Sequence, residues 1–235
     1  MPIQRLDYNE PVAVIGDVHG DAERLGQLLR LLGKRPVLFC GDLCDRGPDT
    51  RGVLDQLLAR GAKGVRGNHE QWMIALVGGQ FDTFALHPIM GGIATLQSYG
   101  IEGRTAQSVE RERYKIPTAH GDFLSGLPIV IDLGVEGDRY WIVHAGIPNS
   151  VQLAPGTPLS AVVPWLAANK PDVLLWTHNP PETALAVDQP VIMGHMPLRR
   201  PVDLGHVIAI DTGCGTCPPR SLTALLLPER RFLTV

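Results

Sequence analysis

Three times in the first third of the chain an apolar run ends at a glycine, passes through a short polar loop and continues as a helix with one apolar face. The runs are Val12 to Ile15, Pro36 to Cys40 and Ala62 to Arg66, each read as a buried strand. Asp21 is placed to cap the first helix, which carries Leu25, Leu28, Leu29 and Leu32 at helical spacing and stops at Gly33. Asp49 or Thr50 opens the second, with Val53, Leu54, Leu57 and Leu58 before Gly61. The third starts near His69 and ends at Gly78-Gly79. Successive strand-helix units require a parallel sheet with right-handed crossovers, which brings the strand-to-helix loops to one rim. Those loops are Gly16-Asp17-Val18-His19-Gly20, Gly41-Asp42-Leu43-Cys44-Asp45-Arg46-Gly47 and Gly67-Asn68-His69-Glu70.

From Gly79 to about Gly126 the pattern loosens into short helical pieces, including Gly92 to Tyr99, and Glu110 to Lys115 reads as a solvated helix face. Segments of this kind commonly select substrates. Strands are expected at Ile129 to Leu133 and Arg139 to Val143, a Pro-rich loop at Pro148 to Pro158 and a helix around Leu159 to Asn169. The β-type runs Val191 to Met193, Val207 to Ile210 and Leu222 to Leu227 call for a second sheet. With 44% hydrophobic content, residues 1–235 are read as a single domain, expected to be a monomer. A net charge of -3, with no run of Lys or Arg longer than a pair, argues against a nucleic-acid partner. No apolar run approaches the roughly 18 residues of a membrane span. Met1 to Glu10 lacks the order of a signal peptide, so no membrane partner and a cytoplasmic location are expected. Cys40-Cys44 and Cys214-Cys217 have ligand-like spacing, but Cys40 lies on an apolar strand and reads as core, which disfavours a thiolate zinc site.

The polar loops carry the chemistry. Asp17 and His19 flank Val18, so in an extended backbone both side chains leave one face and can close on one cation. Asp42 leaves the carboxyl end of a buried strand, where open α/β sheets hold ligands, and its two oxygens can bridge to a second cation. Asn68, His144 in Val143-His144-Ala145-Gly146 and His195 in Gly194-His195 complete a mixed oxygen and imidazole set. Such a set suits two divalent ions, manganese first and iron or zinc as alternatives, rather than calcium. Paired cations generate hydroxide at neutral pH and clamp the oxygens of an in-line displacement at phosphorus. Arg46 and Arg66 flank the ligands and can fork onto phosphate oxygens. His69 is placed to protonate the leaving oxygen, with Asp45 on its other ring nitrogen and Glu70 purely structural. In isolation Asp17 or Asn68 would be an ordinary turn residue, so the reading rests on their conjunction. His87, His120 and His206 fit no such pattern.

In this order and at these intervals, the three loops resemble the signature motifs of the phosphoprotein phosphatase family within the calcineurin-like metallophosphoesterases. His144 and His195 match the family's later histidines, so the resemblance runs from about Val12 to Leu227. It implies an α/β fold with a two-sheet β-sandwich flanked by helices, a dinuclear metal centre and the roles given above. The compact length resembles the bacterial and phage branch, which contains serine/threonine/tyrosine protein phosphatases and symmetrical diadenosine tetraphosphatases. The expected substrate is a phosphoprotein or small phosphoester, with hydrolysis of phosphoserine or phosphothreonine monoesters and phosphotyrosine within the same chemistry. The alternative is symmetrical hydrolysis of diadenosine tetraphosphate, which the same metal motifs serve. Few aromatics, Phe81, Phe84, Tyr99, Tyr114 and Phe123, stand in the variable region, which tilts the expectation toward the protein phosphatase. One departure concerns the phosphate clamp. Family members often carry an Arg shortly after a Trp where this chain has Trp176-Thr177-His178, leaving Arg199, Arg200, Arg220 or a protonated His178 as substitutes, or a substrate that needs less charge compensation.

Overall fold

The computed structural model describes residues 3–216, 218 and 220–235. The strands are β1 (Ile3–Tyr8), β2 (Val12–Ile15), β3 (Val37–Phe39), β4 (Lys63–Gly64), β5 (Val130–Val135), β6 (Asp138–Val143), β7 (Val191–Met193), β8 (Val202–Asp203), β9 (Val207–Ala209), β10 (Thr223–Leu227) and β11 (Arg231–Thr234). The α-helices are α1 (Ala22–Leu32), α2 (Thr50–Arg60), α3 (Glu70–Val77), α4 (Gly92–Ser98), α5 (Ala106–Glu112), α6 (Thr118–Ser125), α7 (Leu159–Asn169) and α8 (Pro171–Trp176). One sheet has the order β11-β10-β2-β3-β4 and the other β1-β5-β6-β7-β9-β8.

Alternation along the strands sorts the core into layers. Val12 and Val14 of β2, with Leu38 of β3, point to the second sheet and pack with Ile131, Leu133, Ile142, Ile192 and Ile208. Ala13 and Ile15, with Val37 and Phe39, point the other way and pack under Leu25 and Leu28 of α1, Leu54 and Leu57 of α2 and Met73 of α3. Across the second sheet, Trp141, Val143 and Met193 face Val162, Val163 and Leu166 of α7 and Leu174 of α8. The result is a sandwich of two sheets with helices on both outer faces. A strand buried on both faces must be apolar at every position, as β2 is.

The caps act where the sequence places them. Asp21 accepts from the Arg24 N–H and Asp49 from the Gly52 N–H, each satisfying an orphan donor at a helix start. The β2-β3-β4 unit is parallel, but β10 joins β2 antiparallel and β11 extends that edge, so the sheet is mixed rather than purely parallel. The strand expected over Ala62 to Arg66 shrinks to Lys63–Gly64, where the Phe39 ring covers the Gly64 Cα. β1, α8 and β11 have no clear signal in the sequence: β1 and β11 are half-exposed edge strands, and α8 is a single short turn-and-a-half behind Pro171. No helix of the described residues is long and apolar enough to cross a membrane.

Candidate metal centre

Each ligand-bearing loop leaves the carboxyl end of a strand and must turn within a few residues. The cost shows in the backbone. His19, Asp42, Asp45, Arg46 and His195 all adopt positive φ, between 46° and 73°, a region that non-glycine residues seldom occupy and that concentrates at functional sites. The left-handed turn at His19, not an extended strand, therefore sets where its ring points, and the expected same-face relation of Asp17 and His19 does not arise from strand alternation. Close approach of the loops requires glycine at two points. A Cβ at Gly67 would lie 2.1 Å from Asp42 Oδ1, and one at Gly194 would strike the Asp17 carboxylate.

Glu70 knits the second loop to the third. Its buried carboxylate accepts from the backbone N–H groups of Asp42 (2.9 Å), Leu43 (2.8 Å), Cys44 (3.3 Å) and Gly67 (2.8 Å). The reading of this residue as structural understated it: it fixes the backbone from which Asp42 projects.

Two groups of side chains offer converging metal-ligand atoms, His19, Asp42 and His69 in one and Asp42, His144 and His195 in the other. Asp42 is common to both. His19 donates its Nδ1–H to the Cys44 carbonyl and His144 its Nδ1–H to the Cys40 carbonyl, each at 2.8 Å. Both rings are thereby left with an Nε2 lone pair, at 3.6 Å and 3.3 Å from Asp42 Oδ2. Asn68 Oδ1 lies 2.9 Å from the same His144 Nε2, and His195 Nδ1 3.1 Å from it. Asp17 belongs to neither group; its Oδ2 accepts from the His195 N–H at 2.9 Å, while among the described residues its buried Oδ1 has no hydrogen-bond partner, and neither does His195 Nε2. Lone pairs gathered in a dry site repel one another unless a cation lies among them. The donor set fits divalent cations. None of the grouped side chains is a cysteine; Cys40, Cys44 and Cys214 are buried thiols, and Cys217 lies outside the described residues.

The charges of these groups are tied to Asp42: burial disfavours a charged His144, but Asp42 outweighs it and raises its pKa, while burial holds the His19 pKa well down. Burial works to raise Asp42, but the nearby His144, His69 and His19 override it and hold the carboxylate well below its usual range. Burial, then Asp211 and Asp42, push Asp17 well up. Burial pushes Asp211 up to about 6. This third carboxylate, absent from the sequence reading, stands in Ile210-Asp211-Thr212-Gly213 just past β9 and accepts from the Gly213 N–H at 2.8 Å. Its only local signal is an Asp after a β-type run. Burial, reinforced by His144, brings His195 down to about 3, so the ring is a neutral ligand.

His69 Nδ1 lies 2.7 Å from Asp45 Oδ2, a carboxylate also held by Trp72 Nε1 (3.0 Å) and by the Thr95 hydroxyl on its other oxygen (2.9 Å). Burial disfavours a charged His69, but Asp42 and Asp45 outweigh it and raise its pKa. Arg46 reaches over both rings, with Nη1 2.6 Å from His19 Nε2 and Nη2 3.2 Å from His69 Nε2. Arg66 is not brought to this cluster: its Nη2 lies 3.5 Å from the Leu127 carbonyl and its buried Nε has no partner among the described residues. His178 does arrive, its ring 4.6 Å from that of His195. The cleft over the cluster has a volume of about 330 Å³. Besides Asp42, Arg46, Asn68, His69, His178 and His195 it is walled by Phe84, Ile89, Met90 and Trp176. Trp176, at the end of α8, brings to the cleft an aromatic from outside the variable region on which the sparse-aromatic expectation rests.

A sandwich of two sheets with paired imidazole-carboxylate groups at the strand ends is an arrangement suited to holding divalent cations. The chain belongs to the calcineurin-like phosphoesterase family, whose model matches residues 10–224. Among its relatives, the asymmetrical bis(5'-nucleosyl)-tetraphosphatase PrpE of Oceanobacillus iheyensis is 27% identical over 95% of this chain and 91% of that protein. The serine/threonine-protein phosphatase 1 of Salmonella typhimurium is 27% identical over 86% of each chain. A crystal structure of a putative diadenosine tetraphosphatase superposes with a TM-score of 0.66 at 21% identity, covering 100% of this chain and 97% of the other. A cold-active protein tyrosine phosphatase gives 0.55 at 17% identity, covering 100% and 78%.

Proposed function

We propose that this phosphoesterase hydrolyses a dinucleoside tetraphosphate rather than a phosphoprotein, the reverse of the preference drawn from the sparse aromatics of the variable region. The observation that carries the reading is the cleft. Its polar end is the ligand cluster with Arg46, and its other wall is the apolar surface of Phe84, Ile89, Met90 and Trp176. A polyphosphate needs the first and a nucleobase the second. The tetraphosphatase relative matched along 95% of this chain supports the same reading.

Asp17, His19, Asp42, Asn68, His144 and His195 would hold two divalent cations, with manganese favoured by the oxygen and imidazole donors. When bound, such ions supply a nucleophilic hydroxide at neutral pH and neutralise charge on phosphorus. The chain's own groups do the rest. Arg46 is the one predicted phosphate-binding Arg at the cleft, and gripping phosphate draws its guanidinium away from His69 Nε2. That frees the nitrogen to carry a proton. Asp45 keeps the other ring nitrogen engaged, so His69 donates from Nε2 to the leaving phosphate oxygen and is reprotonated by solvent. His178 stands beside His195 where a further phosphate contact is needed, while Arg66 is turned aside.

The test supplies the manganese-loaded protein with equal concentrations of diadenosine tetraphosphate and a phosphoserine peptide, with His69→Asn as the contamination control. A higher kcat/KM for the dinucleotide is expected, and the product pair reports the bond cleaved: ATP plus AMP, or two ADP. Preference for the peptide would overturn the reading and favour the activity named for the Salmonella relative.

A further inference from the structure

The apolar wall of the cleft is not uniform. Phe84 and Trp176 each line two adjoining cavities, the large cleft over the ligand cluster and a narrow one of about 50 Å³ that also contains Gln71 and Asp82. Both rings are accessible, Phe84 at 48% and Trp176 at 36% of full exposure, and both line the same polar cleft, where exposed large apolar side chains are ordinarily scattered. They come from unrelated parts of the chain, Phe84 from the turn before α4 and Trp176 from the end of α8. Trp176 is oriented: its indole N–H donates to Gln71 Oε1 at 2.9 Å. That bond uses the oxygen of the Gln71 amide and leaves its NH2 as a donor. Asp82 Oδ1 accepts from the Phe84 N–H at 2.9 Å, leaving its second oxygen as an acceptor.

We infer that Phe84 and Trp176 form a base-binding slot for an adenine of the substrate, with Gln71 and Asp82 reading its edge. The inference rests on the dinucleotide reading above. Phe84 stacks on the His87 ring on one side, with centroids 5.9 Å apart, and its other face and the Trp176 indole supply stacking, which every base satisfies. One amide donor and one carboxylate acceptor supply selection: the Watson-Crick edge of adenine presents an acceptor nitrogen beside an amine donor, the complementary pair. Hypoxanthine carries a carbonyl in place of that amine, so Asp82 would face an acceptor and the inosine analogue is disfavoured. The continuity of the slot with the ligand cluster is what identifies its occupant, since a base seated there is tethered to phosphates passing Arg46.

Two readouts test the slot. The first is the ratio of kcat/KM for diadenosine tetraphosphate to that for p-nitrophenyl phosphate, which has no base. It is expected to fall at least tenfold in Phe84→Ala and in Trp176→Ala and to recover in Phe84→Tyr, while Asp82→Asn narrows the preference for the adenosine over the inosine dinucleotide. An unchanged ratio in both alanine variants, with the dinucleotide still hydrolysed, overturns the slot and leaves the dinucleotide reading intact. The second is equilibrium quenching of tryptophan fluorescence by AMP, measured against Trp176→Phe to isolate that indole. Saturable quenching of the wild type that weakens at least tenfold in Phe84→Ala supports the slot even if the dinucleotide proves not to be a substrate. Absence of quenching in the wild type overturns it.

Discussion

Replacing Glu70 by Gln changes one atom at the junction of two loops, and the structure sets what that change costs. The carboxylate oxygens accept backbone N–H groups in pairs, Oε2 from Asp42 and Gly67 and Oε1 from Leu43 and Cys44, and Oε1 also accepts weakly from the Cys44 thiol at 3.2 Å. An amide offers one oxygen, so whichever way it turns, two buried backbone donors lose their acceptor and meet an NH2 instead. Each orphaned donor costs about 1–3 kcal/mol, or roughly 2–6 kcal/mol for the pair. An opposing contribution exists. Burial first, and then the Asp42 charge, raise the Glu70 pKa, so removing its charge relieves some repulsion and places the expected loss in the lower half of that range. For a chain of this length about 3 kcal/mol corresponds to a fall in Tm of roughly 6–12 °C. The Asp42 backbone would also relax, so weaker manganese binding should accompany the lower Tm. Thermal unfolding by circular dichroism in chelator gives the first quantity and calorimetric titration with manganese the second. A Glu70→Gln protein that melts within a degree of wild type and binds manganese as tightly would refute the assignment of Glu70 as organiser of the Asp42 loop.

Two further expectations concern groups beyond the ligands. Thr95 positions Asp45 by donating to Oδ1 and accepting the Asp45 N–H, so Thr95→Val should loosen the Asp45-His69 pair and Thr95→Ser should restore it. The loss should be severalfold for an alkyl phosphate, whose leaving oxygen needs a proton, and small for p-nitrophenyl phosphate; equal losses on both would show a merely structural role. Asp211 has a folded-state pKa of about 6 against an ordinary 3.8, so in chelator the native state holds its proton more tightly than the unfolded chain. Stability is therefore greatest below about pH 3.8 with respect to this group, and falls by roughly 3 kcal/mol as pH rises through about 6. Asp211→Asn keeps the acceptor for the Gly213 N–H without the charge, and denaturant titrations from pH 4 to 7 should lose that slope. A slope unchanged in the variant would assign it to other groups.

The sequence by itself determined the repeated strand-loop-helix unit, because apolar runs, Asp caps and Gly stops act within a few residues of one another and give Asp21 and Asp49 their roles at α1 and α2. It also brought out the candidate ligand residues, since carboxylate, amide and imidazole collected at strand ends have few other uses. Three things were decided only by tertiary structure. The paired candidate cation-binding groups centred on Asp42 depend on left-handed turns at His19, Asp42 and His195, a region Asp and His enter more readily than most residues but that no single stretch fixes at these three positions. Arg66 was drawn toward Leu127 rather than the ligands, because the direction of a long side chain depends on what packs around its stem and not on its distance along the chain. Asp211 and Trp176 reached the centre from residues far from the three loops, carried there by the second sheet and by α8. Proximity of this kind is a property of how the two sheets stack. A chain read one stretch at a time holds the chemistry of the candidate ligands, while the shape of the cleft arises only when distant elements close around them.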